Sequence, residues 1–535
     1  MLDLVIRNAV ILDGNGGEQF RGDVAVLGDR IQAVVPPGDL LNEPARHEID
    51  AAGACLAPGF IDSHTHSDIA LLAEPNAASK VSQGVTTEIV GNCGWSVVPA
   101  GYPYESDYRR VGQAIFGYPE TPWEWRDMHG YFEALRRCGT AVNIAALAGH
   151  GALRAAVMGF DERPPNESEL AQMRYLLAEA LQQGAIGLSS GLAYAPGCYA
   201  ATDELIALAE VVAEHRGLYA THLRDQVDGL VESVQEALQI GREANIPVLI
   251  SHHKTVGRNN FGKVQITLGM LDEVYADGVP TYSDIYPYLA GSSTMLPLLP
   301  PWVLAERFPP LSERLRNPEI RARIRRDITS GLEGWENRVQ AVGWENIYIA
   351  RVASRHNRKH EGKSIMAFAN ERGADPLNAM LDLLAEEDGD VSSLISNSCE
   401  EDLSAVMRHS RTMIGSDGID VGEKPHPRLY GTFPRIFSEY VRTYGVLTLE
   451  EAVHRMTGLP AAVFGFRDRG LIRNGYFADL TLFDANIIRD TATYDYPRRF
   501  AEGIQCVWVA GEAVFSEGRP TERRPGRVLR REAIA

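Results

Sequence analysis

Eight short β-like runs recur between residues 57 and 416, and helical patterns fill the gaps between them. The runs are Phe60–Asp62, Thr86–Asn92, Val142–Ala148, Ile186–Ser189, Leu218–Thr221, Val248–Ser251, Thr281–Asp284 and Thr412–Ser416. Between them, Leu170, Met173, Leu176, Leu177, Ala180 and Leu181 keep a three-four spacing, as do Leu205, Leu208, Ala209 and Val212 behind Thr202 as an N-cap. Asp375-Pro376 opens a helix with a cap and a first-turn proline, and Thr448-Leu449-Glu450-Glu451 is a capping box. Parallel neighbours need long crossovers, so strands alternating with helices predict parallel pairing. Eight such units predict an α/β protein, a TIM-like (β/α)8 barrel with its chemistry at the C-terminal strand ends.

The two ends of the chain have a different texture. Leu4–Leu12 reads as a strand, and Gly28-Asp29 sits between two more as a hairpin turn. Asp479–Asp484 is another short strand, and Gly511-Glu512 turns a second hairpin. The prediction is a small β-sandwich made of residues 1–56 and 471–535, enclosing a barrel over 57–470. A Pro-, Leu- and Arg-rich stretch, about 291–343, breaks the alternation and reads as an insertion after strand seven that covers the barrel mouth.

The residues at the strand ends carry the chemistry. Strand one ends in His64-Thr65-His66, whose period-two spacing points both imidazoles the same way. Asp62 is placed to orient one of them. Later strands end in Asn92-Cys93-Gly94, Thr221-His222, Ser251-His252-His253-Lys254 and Ser416-Asp417-Gly418. A single histidine or cysteine at a strand end is ordinary packing, but this set at one face is a metal-ligand set suited to zinc. Zinc with an open position activates water near neutral pH, and Asp417 is placed to move the proton. The class implied is metal-assisted hydrolysis of an amide or ester.

Composition narrows the partners. A net charge of −19 argues against nucleic acid and anionic membranes. The six cysteines form no CxxC pair, as expected of free thiols in a reducing compartment. Without a signal-like or membrane-spanning apolar run, the expected location is the cytoplasm. The oligomeric state is not encoded in any pattern here.

The motifs resemble the N-acyl-D-amino-acid deacylase (D-aminoacylase) family of the amidohydrolase superfamily. The likeness lies in His64-x-His66, Gly91-Asn92-Cys93-Gly94, Ser189-Ser190-Gly191-Leu192, Thr221-His222-Leu223-Arg224, Ser251-His252-His253-Lys254, Tyr286-Pro287-Tyr288 and His426-Pro427-Arg428. It implies a tight zinc on Cys93, His222 and His252, and a weaker site on His64, His66 and Asp417, with Asp417 as general acid/base. It also implies that Tyr194, Lys254, Tyr286, Ser292 and Arg428 hold the carboxylate of an N-acyl-D-amino acid. The apolar segment Thr294–Leu299 points to hydrophobic side chains such as Leu, Met or Phe. Two alternatives stand beside this reading. A cyclic amidase of the dihydroorotase or hydantoinase kind would carry a strand-four lysine, and Ile186-Gly187-Leu188-Ser189 has none. A non-catalytic barrel serving as an interaction module would be expected to have lost ligands.

Overall fold

The computed structural model describes residues 1–41, 43–99, 103–305, 309–396 and 398–531. Strands form at Phe60–Asp62, Val85–Val90, Asn143–Ala146 continuing at Ala148–Gly149, Gly187–Gly191, Leu218–His222, Val248–Ile250, Thr281–Ile285 and Thr412–Ile414. Each pairs in parallel with the next in the chain. The last also meets the first, since the Ser63 hydroxyl donates to the Ile414 carbonyl at 2.9 Å. Their burial is nearly continuous, as expected where both faces of a parallel sheet are covered.

Helices fill the crossovers, among them Glu167–Gln183, Thr202–Glu214, Leu230–Ala244 and Lys263–Ala276. Thr448 and Asp375 cap helices as their sequence suggests, each accepting from a backbone N–H in the first turn. Thr202 does not. Ala201 is the N-cap, Thr202 is the first helical residue, and its hydroxyl donates to Glu236 at 2.9 Å. A carboxylate in reach outcompetes the helix's own first-turn donors for that side chain.

Strands from both ends of the chain share a separate nine-stranded sheet. Cys55–Pro58, which leads into the first parallel strand, lies between Leu2–Ile11 and Leu480–Phe483. The apolar residues on one face of this sheet, including Ile6, Val24, Leu56, Leu482 and Trp508, form their own core.

The excursion after the seventh strand is larger than its composition suggests. Beyond helices such as Pro318–Ser330 and Arg338–Val342, it includes a three-stranded sheet ordered Ala290–Thr294, Val391–Ser396, Ile347–Val352. These are antiparallel strands closing a long loop, so neighbouring sequence gives no hairpin signal for them.

Candidate metal centre and active site

Cys93, His252 and Asp417 each follow a strand end, and each has positive φ (55°, 36° and 48°). Non-glycine residues pay conformational energy there, and such strain concentrates at functional sites. The local reason is visible at Gly91, φ 77°, where a Cβ would lie 2.2 Å from the Leu147 carbonyl oxygen. Only glycine lets the Asn92-Cys93 turn press against the neighbouring strand.

Two groups of donor atoms result, His64–Cys93–His252 and His64–His66–Asp417, each with its atoms within 4.8 Å of one another. The Cys93 Sγ is 3.3 Å from His64 Nε2 and 3.5 Å from His252 Nε2. The nearest Asp417 oxygen is 3.6 Å from His64 Nε2 and 3.2 Å from His66 Nε2. Tetrahedral bonds of about 2.0–2.3 Å set donor edges of roughly 3.3–3.8 Å, and these separations are close to that range, so both groups are candidate zinc sites. The first and last strand ends are also interlocked: Asp417 N–H donates to the His64 carbonyl at 2.7 Å and His66 N–H to the Gly418 carbonyl at 2.9 Å.

His222 stands beside these groups. Its ring lies 4.4 Å from that of His252, Tyr194 OH is 3.4 Å from its Nδ1, and Arg338 Nη2 donates to its Nε2 at 3.3 Å. Asp62 accepts from backbone N–H groups, His64 at 3.3 Å and Ser416 at 2.7 Å, so it orients the loops. Asp284 is the carboxylate that orients the His64 ring. It meets His64 Nδ1 at 3.2 Å and accepts from His252 N–H at 2.7 Å.

Protonation is set by this arrangement. Burial opposes a charged imidazole, yet Asp284 and Cys93 hold His64 well above its usual range. Burial would push the Cys93 thiol up, but His64 and His66 bring it below its ordinary value. Burial, then Arg338 and Lys254 respectively, hold His222 and His252 well below the usual range and therefore neutral. Burial likewise opposes a charge on His66, but Asp417 and Cys93 raise its pKa to about 9, so zinc binding to these donors as thiolate and neutral imidazole would displace protons from His64 and His66.

The wall opposite carries cations and hydroxyls. Lys254 Nζ lies 3.1 Å from His252 Nδ1, and burial lowers its pKa to about 8. Lys254 and Arg428 both approach the Tyr286 ring, their charges 5.4 and 4.6 Å from its centre. Ser293 donates to Tyr194 OH at 3.2 Å, and Ser292 lines the cavity beside it. Arg428 is fully buried behind Tyr286, with Nη1 2.9 Å from Asp417 and Nη2 donating to the Ser292 carbonyl at 3.0 Å.

Sequence reasoning missed four residues here. Glu336 accepts from Arg338 Nε at 2.6 Å and from Gln226 N–H at 3.0 Å, and Gln226 Nε2 is 3.2 Å from His252 Nδ1. The insertion thus reaches both strand-end histidines through a buried ion pair. Asp284, at a strand's C-terminal end, was findable by the rule that picked the ligands.

Residues 47–515 match the family described as the amidohydrolase family. The chain belongs to the amidohydrolase family. Within this family it is 37% identical to a curated D-aminoacylase of Alcaligenes xylosoxydans xylosoxydans, over 99% of this chain and 98% of that protein. It is 38% identical to an N-acyl-D-aspartate deacylase of the same organism, over 98% of this chain and 95% of that one. Its fold superposes on the crystal structure of the N-acyl-D-glutamate deacylase of Bordetella bronchiseptica, complexed with zinc and a phosphonate mimic of the tetrahedral intermediate. That amidohydrolase shares 36% identity, a TM-score of 0.84, and coverage of 99% of both chains.

Proposed function

We propose that this chain is a zinc-dependent amidohydrolase that cleaves the amide bond of N-acyl-D-amino acids, releasing a carboxylate and a D-amino acid. The observation that carries this is the pair of donor groups sharing His64, at the spacing of a metal centre and walled by Lys254, Tyr194, Tyr286 and Ser292. The fold reading that goes with it is a (β/α)8 barrel over residues 57–470, with residues 1–56 and 471–535 as a β-sandwich and an insertion after strand seven. Free thiols at all six cysteines and the acidic balance support a cytoplasmic enzyme without nucleic-acid or membrane partners. Among the described residues no helix is long and apolar enough to cross a membrane.

Cys93, His222 and His252 would hold the tighter zinc, and His64, His66 and Asp417 the weaker one. His64 lies close enough to Cys93 to contribute to both. Bound zinc supplies a Lewis acid for the scissile carbonyl and lowers the pKa of water to about 7. Asp417 takes the water's proton and passes it to the leaving nitrogen. Lys254 and Arg428, with the hydroxyls of Tyr194, Tyr286 and Ser292, hold the substrate carboxylate.

The apolar side chains Trp95, Val111, Leu296, Leu299, Leu304 and Trp335 adjoin the site at Tyr194 around a space of about 20 Å³, which a substrate side chain enters only by displacing them. Arg338 adds no net charge, because Glu336 neutralises it. Both features support a hydrophobic substrate side chain over an acidic one.

The test is a chiral assay. The zinc-loaded enzyme is given racemic N-acetylmethionine, and D- and L-methionine are quantified separately. Release of D-methionine alone is expected, at least tenfold faster than release of D-glutamate from its N-acetyl derivative. Release of L-methionine refutes the handedness, and turnover of a hydantoin in place of both amides refutes the substrate class.

A further inference from the structure

Lys80 is 1% exposed and lies against the residues that flank the donor groups. Its ammonium makes three hydrogen bonds: to Asp62 at 2.6 Å, Thr65 Oγ1 at 2.8 Å and Ser416 Oγ at 2.9 Å. Thr65 separates His64 from His66, Ser416 precedes Asp417, and Asp62 holds the backbone N–H of both His64 and Ser416. One buried cation therefore joins the two loops that carry the whole His64–His66–Asp417 group. Burial works against the ammonium, but Asp62 and Glu88 outweigh it and keep it charged.

A second feature bears on the same atom. A cavity of about 230 Å³, lined in part by Ser67, Glu74, Glu88, Tyr118 and Arg498, reaches Lys80. Glu88 is fully buried, with its Oε2 3.5 Å from Lys80 Nζ. Lys80 is thus the inner wall of an acid-lined space large enough for a small organic cation.

We infer that Lys80 is a positioning residue for the metal centre, clamping the His64–Thr65–His66 and Ser416–Asp417 loops into one ligand set. The inference rests on the reading of these donors as zinc ligands. A side chain acting through the groups behind metal ligands is worth roughly 10- to 100-fold in metal affinity or activity. The cavity makes the role open to chemical rescue, because an alkylammonium ion entering beside Glu88 can replace the lost ammonium.

The experiment uses the full-length enzyme and Lys80→Ala. Zinc affinity is measured by competition with a chromophoric chelator, with and without n-propylammonium, and with tetramethylammonium at equal ionic strength as control. The expected result is at least a tenfold loss of affinity for one zinc equivalent. Propylammonium should recover it saturably and tetramethylammonium should not. Affinity within twofold of wild type overturns the inference. So does a loss that propylammonium leaves untouched, which marks a packing defect. If Lys80→Ala does not fold, Ser416→Ala decides, since it removes one of the three bonds, together with the Ser416 hydroxyl's bonds to Asp62 and the Gly418 N–H, and keeps the charge. An affinity loss of fivefold or more at unchanged Tm supports the clamp, and unchanged affinity refutes it. Failure of the wild-type chain to bind zinc refutes the metal reading itself, and the clamp with it.

Discussion

The Glu336–Arg338 pair offers a quantitative test of how the insertion is fastened to the catalytic face. Both side chains are nearly excluded from solvent, at 3% and 7% exposure, and their closest atoms are 2.6 Å apart. Breaking a buried pair by neutralising one partner leaves an uncompensated charge and costs about 3–5 kcal/mol, whereas neutralising both is nearly free. Unfolding entropy of about 2.1 cal/mol/K per residue over 535 residues gives roughly 1.1 kcal/mol/K. Arg338→Met and Glu336→Gln should therefore each lower Tm by about 3–4 °C, and the double variant should return to within about 1 °C of wild type. Glu336→Gln keeps an acceptor for the Gln226 N–H, so the loss reports charge and not a missing hydrogen bond. Differential scanning calorimetry measures all four proteins. Activity should separate from stability, because both variants lacking Arg338 withdraw the donor to His222 Nε2 and should lose about tenfold in kcat/KM. A double variant no more stable than its weaker parent would refute the reasoning, because the pair would then be behaving as a solvated one.

Four further outcomes are expected. Arg428→Ala should raise KM and lower kcat/KM by more than tenfold on an N-acyl-D-amino acid, and unchanged steady-state constants would remove it from the carboxylate clamp. Chelation should abolish activity and zinc should restore it. Cys93→Ser should bind zinc at least tenfold more weakly, because the Cys93 thiolate is a donor the buried hydroxyl cannot match, and equal affinity by chelator competition would exclude Cys93 as a ligand. His253 is neutral and buried, with a pKa of about 3, against about 6.5 when unfolded. The unfolded chain binds this proton first, so stability is lost as pH falls from about 6.5 toward 3. His253→Leu should flatten that acid slope by close to one proton, and an unaltered slope in urea titrations at stepped pH would assign it elsewhere.

Much of this protein is written locally. The eight strands are legible as short runs alternating with helical patterns, although polar residues such as Glu88, Ser189 and Asp284 interrupt the apolar sequence of several. Thr448 and Asp375 cap helices because a short polar side chain before a helical pattern has one good partner, the first-turn N–H. His64, His66, Cys93, His252 and Asp417 converge because successive parallel strands all deliver their C-terminal ends to one face. The tertiary structure alone decided the rest. Glu336 and Arg338 lie more than 100 positions from His222 and Gln226, and nothing in their own neighbourhood marks them as more than surface charge. Lys80 carries no sequence signal of its own; it lies in the short helix Ala78–Val81, and only chain closure brings Ser416, 336 positions away, to its ammonium. Spacing along the chain predicts what a strand or helix does with its own side chains. Which distant charge is taken out of water with which partner is a property of packing, and that determines how firmly this site is held.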